Sequence, residues 1–251
     1  MVRAGVRADE QDEDDVPERE HRTARAPIVW LWVGWRVPNR GAGAGSATEP
    51  PVMSDANLPF VDPPWDAPLD VARVLSDIPT DSKISGMFFL AVVSGAKTRG
   101  IALPSARERY VQFTFYPLAE FARILVEASE RFFPERTLRH ALRTLGRSSP
   151  EAFLASTLGR VTLGSTEGVH PAVAAMANGY ELNLRPCHVS TVDSGANWTV
   201  VRMDKVVHFL DSHHVGNFEG LLRFAGVRGA VRIASRSPTS ADLLLTWGAA
   251  Q

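Results

Sequence analysis

Cysteine is nearly absent from this chain. Its 251 residues include one, Cys187, which excludes an internal disulfide framework and any all-cysteine metal cage and suits a reducing compartment. A charge excess is missing too: 27 Lys and Arg against 28 Asp and Glu leave a formal net charge of -1. No global electrostatic argument then favours nucleic acid or an acidic membrane surface. Long hydrophobic runs are also lacking. The most apolar stretch of the N-terminal quarter, PIVWLWVGW at 27–35, is under half of the roughly 20 residues a spanning helix needs. The region before it is long and acidic rather than short and basic, so it does not read as a secretory signal. A cytoplasmic protein without a membrane span is expected. No nucleophile elbow, phosphate loop or dinucleotide fingerprint is present, since GAGAGS has no strand before it and no helix after it.

What is present divides unevenly along the chain. Residues 1–26 are dense in both charges and almost free of large apolar side chains, a composition that cannot offset its ordering entropy and is expected to be disordered. Residues 37–52 read as a flexible linker running into Met53, which resembles an ordinary protein start; residues 1–52 would then lie upstream of the native initiator. A Pro-rich lead-in occupies 53–82, and a single domain is expected over 83–248.

Within that domain the periodicity is first helical. ISGMFFLAVVSGA (84–96) is apolar nearly all round, as a buried helix would be, with Ser82 or Ser85 as N-cap. The stretch YPLAEFARILVEASERFFP sets Leu118, Phe121, Ile124, Leu125, Ala128 and Phe132 on one stripe and Glu120, Arg123, Glu127 and Glu130 on the other side. Pro117 suits its first turn and Pro134 stops it. A second helix is expected to end at Gly146, a third to start from Ser149 ahead of Pro150, and a short fourth to close at Gly179. Beyond that point β-branched and aromatic residues dominate. LRPCHVSTV and WTVVRMDKVVHFL, joined by DSGAN, read as one hairpin, AVRIAS and DLLLTW as another, with the helix VGNFEGLLRFAG between them. The expected fold class is α+β: a helical N-terminal half packed with a short antiparallel sheet of two hairpins and an intervening helix.

Chemistry concentrates in HFLDSHHVGNFEGLL at 208–222, which holds three of the seven histidines. His213 and His214 are adjacent rather than at the i, i+4 spacing of a helical zinc pair, and point in different directions in either regular state. His208, Asp211 and His213 would converge only through a tight loop, and no second cluster supplies further ligands. The structural reading makes His208 the end of a strand and one of Ser212, His213 or His214 the start of a helix. Cys187 and His188 would face opposite sides of a strand, so Cys187 reads as a buried, inert thiol. Arg139, Arg143 and Arg147 line one helix edge at i, i+4 and i+8, a solvated face by default.

Several stretches together, GMFFLAVVSG, FTFYPLAEFARILVEASERFFP, ALRTLGRSSPEAFLASTLGRV and VGNFEGLLRFAG with VRIASRSPTSADLLLTW, resemble an uncharacterised family of roughly 200-residue proteins expanded in myxobacteria. The marks are Gly86 with Phe88 and Phe89, Tyr116–Pro117, Gly146–Arg147, Gly159–Arg160, Gly216 with Glu219–Gly220, and Trp247. More distantly, the layout is similar to the superfamily of haem nitric-oxide-binding and 4-vinyl reductase domains, whose elements enclose a small-molecule pocket. The haem branch depends on a proximal histidine and a Tyr-x-Ser-x-Arg signature, and WTVVRMDK stands where the latter would be sought. No haem, metal or other cofactor is therefore expected.

The resemblance implies a non-enzymatic module that binds a small apolar or amphipathic ligand, or a protein partner, in signalling or regulation. Met87, Phe88, Phe113, Phe115, Tyr116 and Trp198 are candidate pocket walls, and Glu219 is a candidate buried polar contact. The alternative from a different class is a hydrolase or redox enzyme built on Cys187 or on a His208, Asp211 and His213 metal site. A pure interaction subunit, such as a homodimer packed through the sheet or the long helix, is the third reading; nucleic acid is not an expected partner.

Overall fold

The computed structural model describes residues 49–155 and 168–248, which fall in the compact unit Gly43–Gln251. The expectations for residues 1–48, and for the end of the third helix with Gly159–Arg160, lie outside the described residues. In chain order the elements are α1 (Val71–Ser76), β1 (Lys83–Ser85), α2 (Gly86–Thr98), β2 (Phe115–Pro117), α3 (Leu118–Phe132) and α4 (Leu138–Ala155). Then come α5 (Val169–Asn183), β3 (Leu184–Arg185), β4 (His188–Gly195), β5 (Trp198–Asp204), a π-helical turn (Leu210–His214), α6 (Val215–Phe224), β6 (Gly229–Ser237) and β7 (Ser240–Trp247). This is the α+β fold the periodicity implies.

The two expected hairpins build one antiparallel sheet in the order β4-β5-β7-β6, joined through its two inner strands. Period-2 alternation sorts its side chains. Val201, Met203, Leu243 and Leu245 face α5 and α6, where Val215, Phe218, Leu221 and Leu222 close the core. Trp198, Val200 and Leu244 face the other way and meet Phe60 from the lead-in. The hydrophobic pattern did not disclose a second, three-stranded sheet, β2-β1-β3, because its strands are two or three residues long and carry no readable alternation.

Helix α3 forms as its stripe requires. Leu118, Phe121, Ile124, Leu125 and Ala128 are all buried against α2, α4 and the small sheet. Each large apolar side chain removed from water there contributes roughly 1.5–3 kcal/mol, so Leu125→Ala is the kind of change that loosens this half. Pro117 occupies the cap position rather than the first turn.

Five boundaries differ from the sequence reading. α4 runs through both Gly146 and Pro150 as one helix. Gly146 is not a stop but a point of close approach, where a Cβ would strike the backbone carbonyl of His213. Ser149 does not cap a new helix; the Ser148 and Ser149 hydroxyls donate back to the Leu145 carbonyl, just before a proline that cannot donate to its i-4 carbonyl. α5 continues past Gly179 to Asn183, directly abutting β3. β5 stops at Asp204, and the chain turns through left-handed Lys205 and Phe209, so His208 lies beyond the strand. Finally, β4 reaches Gly195, leaving only residues 196 and 197 for the turn.

Candidate functional site

The three histidines of the 208–214 stretch border one cavity of about 80 Å³. Its apolar wall comes from both halves of the fold: Ile84 of β1, Phe88 of α2, Phe121 of α3, Met176 of α5 and Leu184 of β3. Its polar side is formed by His208, His213, His214, Tyr180, Asn183 and Asn217, with Ser149 at the edge.

Adjacent residues reach the same cavity because the chain there is a buried helical turn, not a strand. Neighbours on a helix diverge by about 100°, and Leu210, Ser212, His213 and His214 are all buried. The His208 and His214 rings lie edge to face at 4.6 Å, and His213 and His214 at 5.4 Å. Asp211 does not join them: it pairs with Arg139. The proposed trio His208, Asp211 and His213 is therefore not brought together. Among the described residues, no group of three His, Cys, Asp or Glu side chains is arranged to hold a metal ion.

A short hydrogen-bond chain organises the polar side. Asn217 Nδ2 donates to Tyr180 Oη at 2.7 Å, and Tyr180 Oη meets His214 Nδ1 at 2.8 Å. Beyond this chain, His208 Nδ1, His213 Nδ1, His214 Nε2 and Asn217 Oδ1 are buried with no partner in good hydrogen-bonding geometry. Buried polar atoms are normally satisfied by protein, water or ligand, so four at one cavity is a concentration that calls for an occupant.

Burial governs the protonation of these rings. Desolvation, followed by the neighbouring His213, drives His208 down to about 3. Desolvation lowers His213 to about 4, opposed by the Leu142 carbonyl. His214 falls well below the ordinary value, from burial first and then from the His208 and His213 rings, opposed by the His208 backbone carbonyl. Burial also pushes the Tyr180 phenol up. At neutral pH the cavity is thus lined by neutral imidazoles and a neutral phenol.

The turn that carries the histidines is held by a backbone lock between α4 and α6. Cβ atoms at Gly216 and Gly220 would run into the carbonyls of Arg143 and Arg147, as one at Gly146 would into that of His213. Around these contacts Glu219 accepts from Arg143 Nε at 2.9 Å and from Arg147 Nε at 2.6 Å. Trp65 from the lead-in lies over the Arg143 guanidinium at 3.2 Å. The arginine edge expected to be a solvated face is therefore an interhelical one: Arg143 is 5% exposed. Desolvation opposes the ionised form of Glu219, but bonds from Arg143 and Arg147 outweigh it and hold its carboxyl below the usual range. Gly146–Arg147, Gly216 and Glu219–Gly220 are individually weak as motifs, and this contact gives them one shared purpose.

The other sequence candidates are scattered. Phe88 lines the cavity. Met87 is buried, Phe113 is 60% exposed, and Phe115 lies under the Arg185 guanidinium at 4.4 Å. Tyr116 packs on Phe89 and Tyr110, and its Oη accepts from the Val111 amide. Trp198 belongs to the opposite face of the larger sheet, and Glu219 to the interhelical ion pair. Cys187 is half-buried, and burial together with Glu181 pushes its thiol up to about 12, the reverse of an activated nucleophile. Sequence reasoning missed Tyr180 and Asn217. Asn217 carried a usable signal: it is a polar residue in the second position after Val215, within an otherwise inward-facing apolar turn.

Residues 78–248 match the model of a family described as Protein of unknown function (DUF2378). Comparison with curated proteins returns no match. Among solved structures, the fold is similar to an Fe(II) unliganded H-NOX protein mutant from K. algicida, with TM-score 0.52 and 11% identity over 66% of this chain and 97% of that one. It is also similar to an H-NOX protein from S. oneidensis in the Fe(II) ligation state, with TM-score 0.51 and 10% identity over 67% and 98%. A Tt H-NOX variant gives TM-score 0.53 and 11% identity over 67% and 97%. At such identities the likeness is one of fold.

Haem, which the resemblance brings into question, does not fit this cavity. About 80 Å³ falls well short of the roughly 300–1,000 Å³ of sites for drug-sized molecules. No Arg or Lys borders the cavity among the described residues, leaving a porphyrin's two propionates without a counter-charge there.

Proposed function

We propose that this chain, which belongs to the family described as Protein of unknown function (DUF2378), is a non-enzymatic module that binds a small neutral molecule in the histidine-bordered cavity, in a signalling or regulatory role. One observation carries the reading: four buried polar atoms without partners in good hydrogen-bonding geometry border the same cavity as Phe88, Phe121 and Met176. Neutral imidazoles beside an apolar wall favour an uncharged, amphipathic occupant, since a desolvated ion would lack a counter-charge. The H-NOX neighbours support this through fold alone, and the raised Cys187 thiol speaks against a thiolate enzyme.

Native mass spectrometry of the purified full chain tests it. One small-molecule mass per chain is expected, lost in Gly179→Phe. A Cβ at Gly179 meets nothing within 4 Å, so this change places bulk at the cavity wall without an immediate clash. A wild-type chain that carries no molecule and takes up none from a panel of neutral amphipathic compounds would remove the reading, as would an added mass that Gly179→Phe leaves unchanged.

A further inference from the structure

A second cavity, of about 440 Å³, lies between α2, the end of α3, α4 and α6. Its size falls within the roughly 300–1,000 Å³ of sites for small molecules. Its wall is chemically unlike that of the histidine cavity. Arg99 of α2, Arg147 of α4 and Arg223 of α6 border it, and among the described residues no Asp or Glu does. Val92, Phe132 and Leu145 supply apolar surface to the same space.

Two of these cations keep uncompensated charge. Arg99 donates from Nη1 to the Gly95 carbonyl at 3.0 Å, and its guanidinium lies over the Phe132 ring at 4.8 Å. Both partners are uncharged, so they hold the guanidinium against the wall and leave its charge in place. Arg147 pairs with Glu219, but Arg143 shares that carboxylate. One negative charge therefore answers two positive ones. Arg223 Nη2 donates to the Arg147 carbonyl at 3.3 Å, which brings a third guanidinium to the contact between α4 and α6. A cleft lined by one sign of charge and walled by apolar side chains focuses its field into the space it encloses.

We propose that this cavity binds a small amphipathic anion: an apolar body that ends in a carboxylate or a phosphate. The apolar part removes Val92, Phe132 and Leu145 surface from water, and the anionic group sits in the field of guanidiniums from three helices. No two arginines need meet the same oxygen. A neutral compound forgoes that field, and a cation is opposed by it. The histidine cavity, bordered by no Arg or Lys among the described residues, selects against the same anions, so the two sites separate ligands by charge.

The test is a matched six-carbon series, hexanoate, hexyl phosphate, 1-hexanol and hexylammonium, with inorganic phosphate beside it. Each is titrated into the full chain at neutral pH and followed by the backbone amide NMR shifts of Gly95, Leu145 and Ser148, which border this cavity and not the other. An ion pair with an exposed guanidinium is worth up to about fivefold in affinity, and more where the cation is partly out of water. Hexanoate and hexyl phosphate are therefore expected to bind at least about fivefold more tightly than hexanol and hexylammonium, with the margin shrinking as salt rises. Arg99→Gln removes an exposed charge and should narrow the margin by about two- to fivefold. Gly95→Leu fills the space instead: a Cβ there meets only Arg99 Nη1, at 3.5 Å, and the shifts should be lost.

Equal affinity of hexanol and hexanoate, tighter binding of hexylammonium, or a margin that both variants leave unchanged overturns the assignment. Inorganic phosphate binding as tightly as hexyl phosphate would show that the apolar wall contributes nothing, and overturns the amphipathic class. If no member of the series moves these amides, the cavity holds solvent only and the proposal falls, with the histidine cavity untouched by the result.

Discussion

Acidification from about pH 7.5 to about pH 5 removes stability through the histidine turn, and the size of the loss follows from burial. An unfolded histidine titrates near 6.5, whereas burial places folded His208 at about 3 and His213 at about 4. Below about 6.5 the unfolded state takes up protons that the folded state refuses. The stabilisation is therefore complete above the unfolded value and is lost as pH falls towards the folded ones. Each ring contributes a slope of about 1.4 kcal/mol per pH unit. At about pH 5 both folded values still lie below the solution pH, so the loss is set by the unfolded value: ~2 kcal/mol per ring, ~4 kcal/mol for His208 and His213 together. His214 shifts in the same direction. Against a total stability of roughly 5–15 kcal/mol, this is a large fraction. Glu219 does not contribute in this window. Its carboxyl is held low, so its stabilisation is present above its unfolded value and is lost only as pH falls through the lower folded one. His140, also lowered, chiefly by burial and then by Arg136, adds in the same sense, and a variant separates the cavity from it. Urea unfolding followed by tryptophan fluorescence at the two pH values, with wild type and His208→Phe in parallel, reads the effect. The variant is expected to lose about 1.4 kcal/mol per pH unit less steeply. Equal unfolding free energies at both pH values, with unchanged m-values, would refute the neutral, buried state of these rings.

Three further outcomes test the frame around the cavity. Glu219→Gln leaves Arg143 buried without its carboxylate and should destabilise by about 3–5 kcal/mol in chemical denaturation; a loss below about 1 kcal/mol would show that the pair is effectively solvated. Gly216→Ala drives a methyl group against the Arg143 carbonyl and should lower stability by about 1–3 kcal/mol or more, with the histidine resonances displaced; a neutral result removes the backbone lock. Cys187, pushed up to about 12, should alkylate with iodoacetamide far more slowly in the folded chain than in urea at neutral pH, by intact mass; equal rates would mean an accessible thiolate.

The residues did not make the two halves of the fold equally legible. The α3 stripe and the paired hairpins declare themselves, because amphipathic periodicity is a local record of which face is buried. Gly146 and Pro150 misled for the opposite reason: both are helix terminators by local rule, but packing against the His213 backbone requires the glycine, and tertiary contacts carry the helix past the proline. Of the proposed pocket walls, only Phe88 meets the cavity. The others are aromatic residues of the same kind, and nothing local distinguishes one that faces a cavity from one that faces a sheet.

By itself the sequence determined the fold class, the family resemblance, and the 208–222 stretch as the densest polar chemistry in the chain, since composition, period and motif order are all properties of neighbours along the backbone. Tertiary structure alone decided what that stretch does. Tyr180 lies 34 positions from His214 and 37 from Asn217, and only the packing of α5 against the π-helical turn and α6 joins them into one hydrogen-bond chain. Asp211, in the middle of the histidines, is drawn away by Arg139 from a helix 72 positions earlier. Burial, which sets the protonation of the three rings, is a sum over neighbours from β1, α2, α3, α4, α5, β3 and α6, and no segment of the chain contains it.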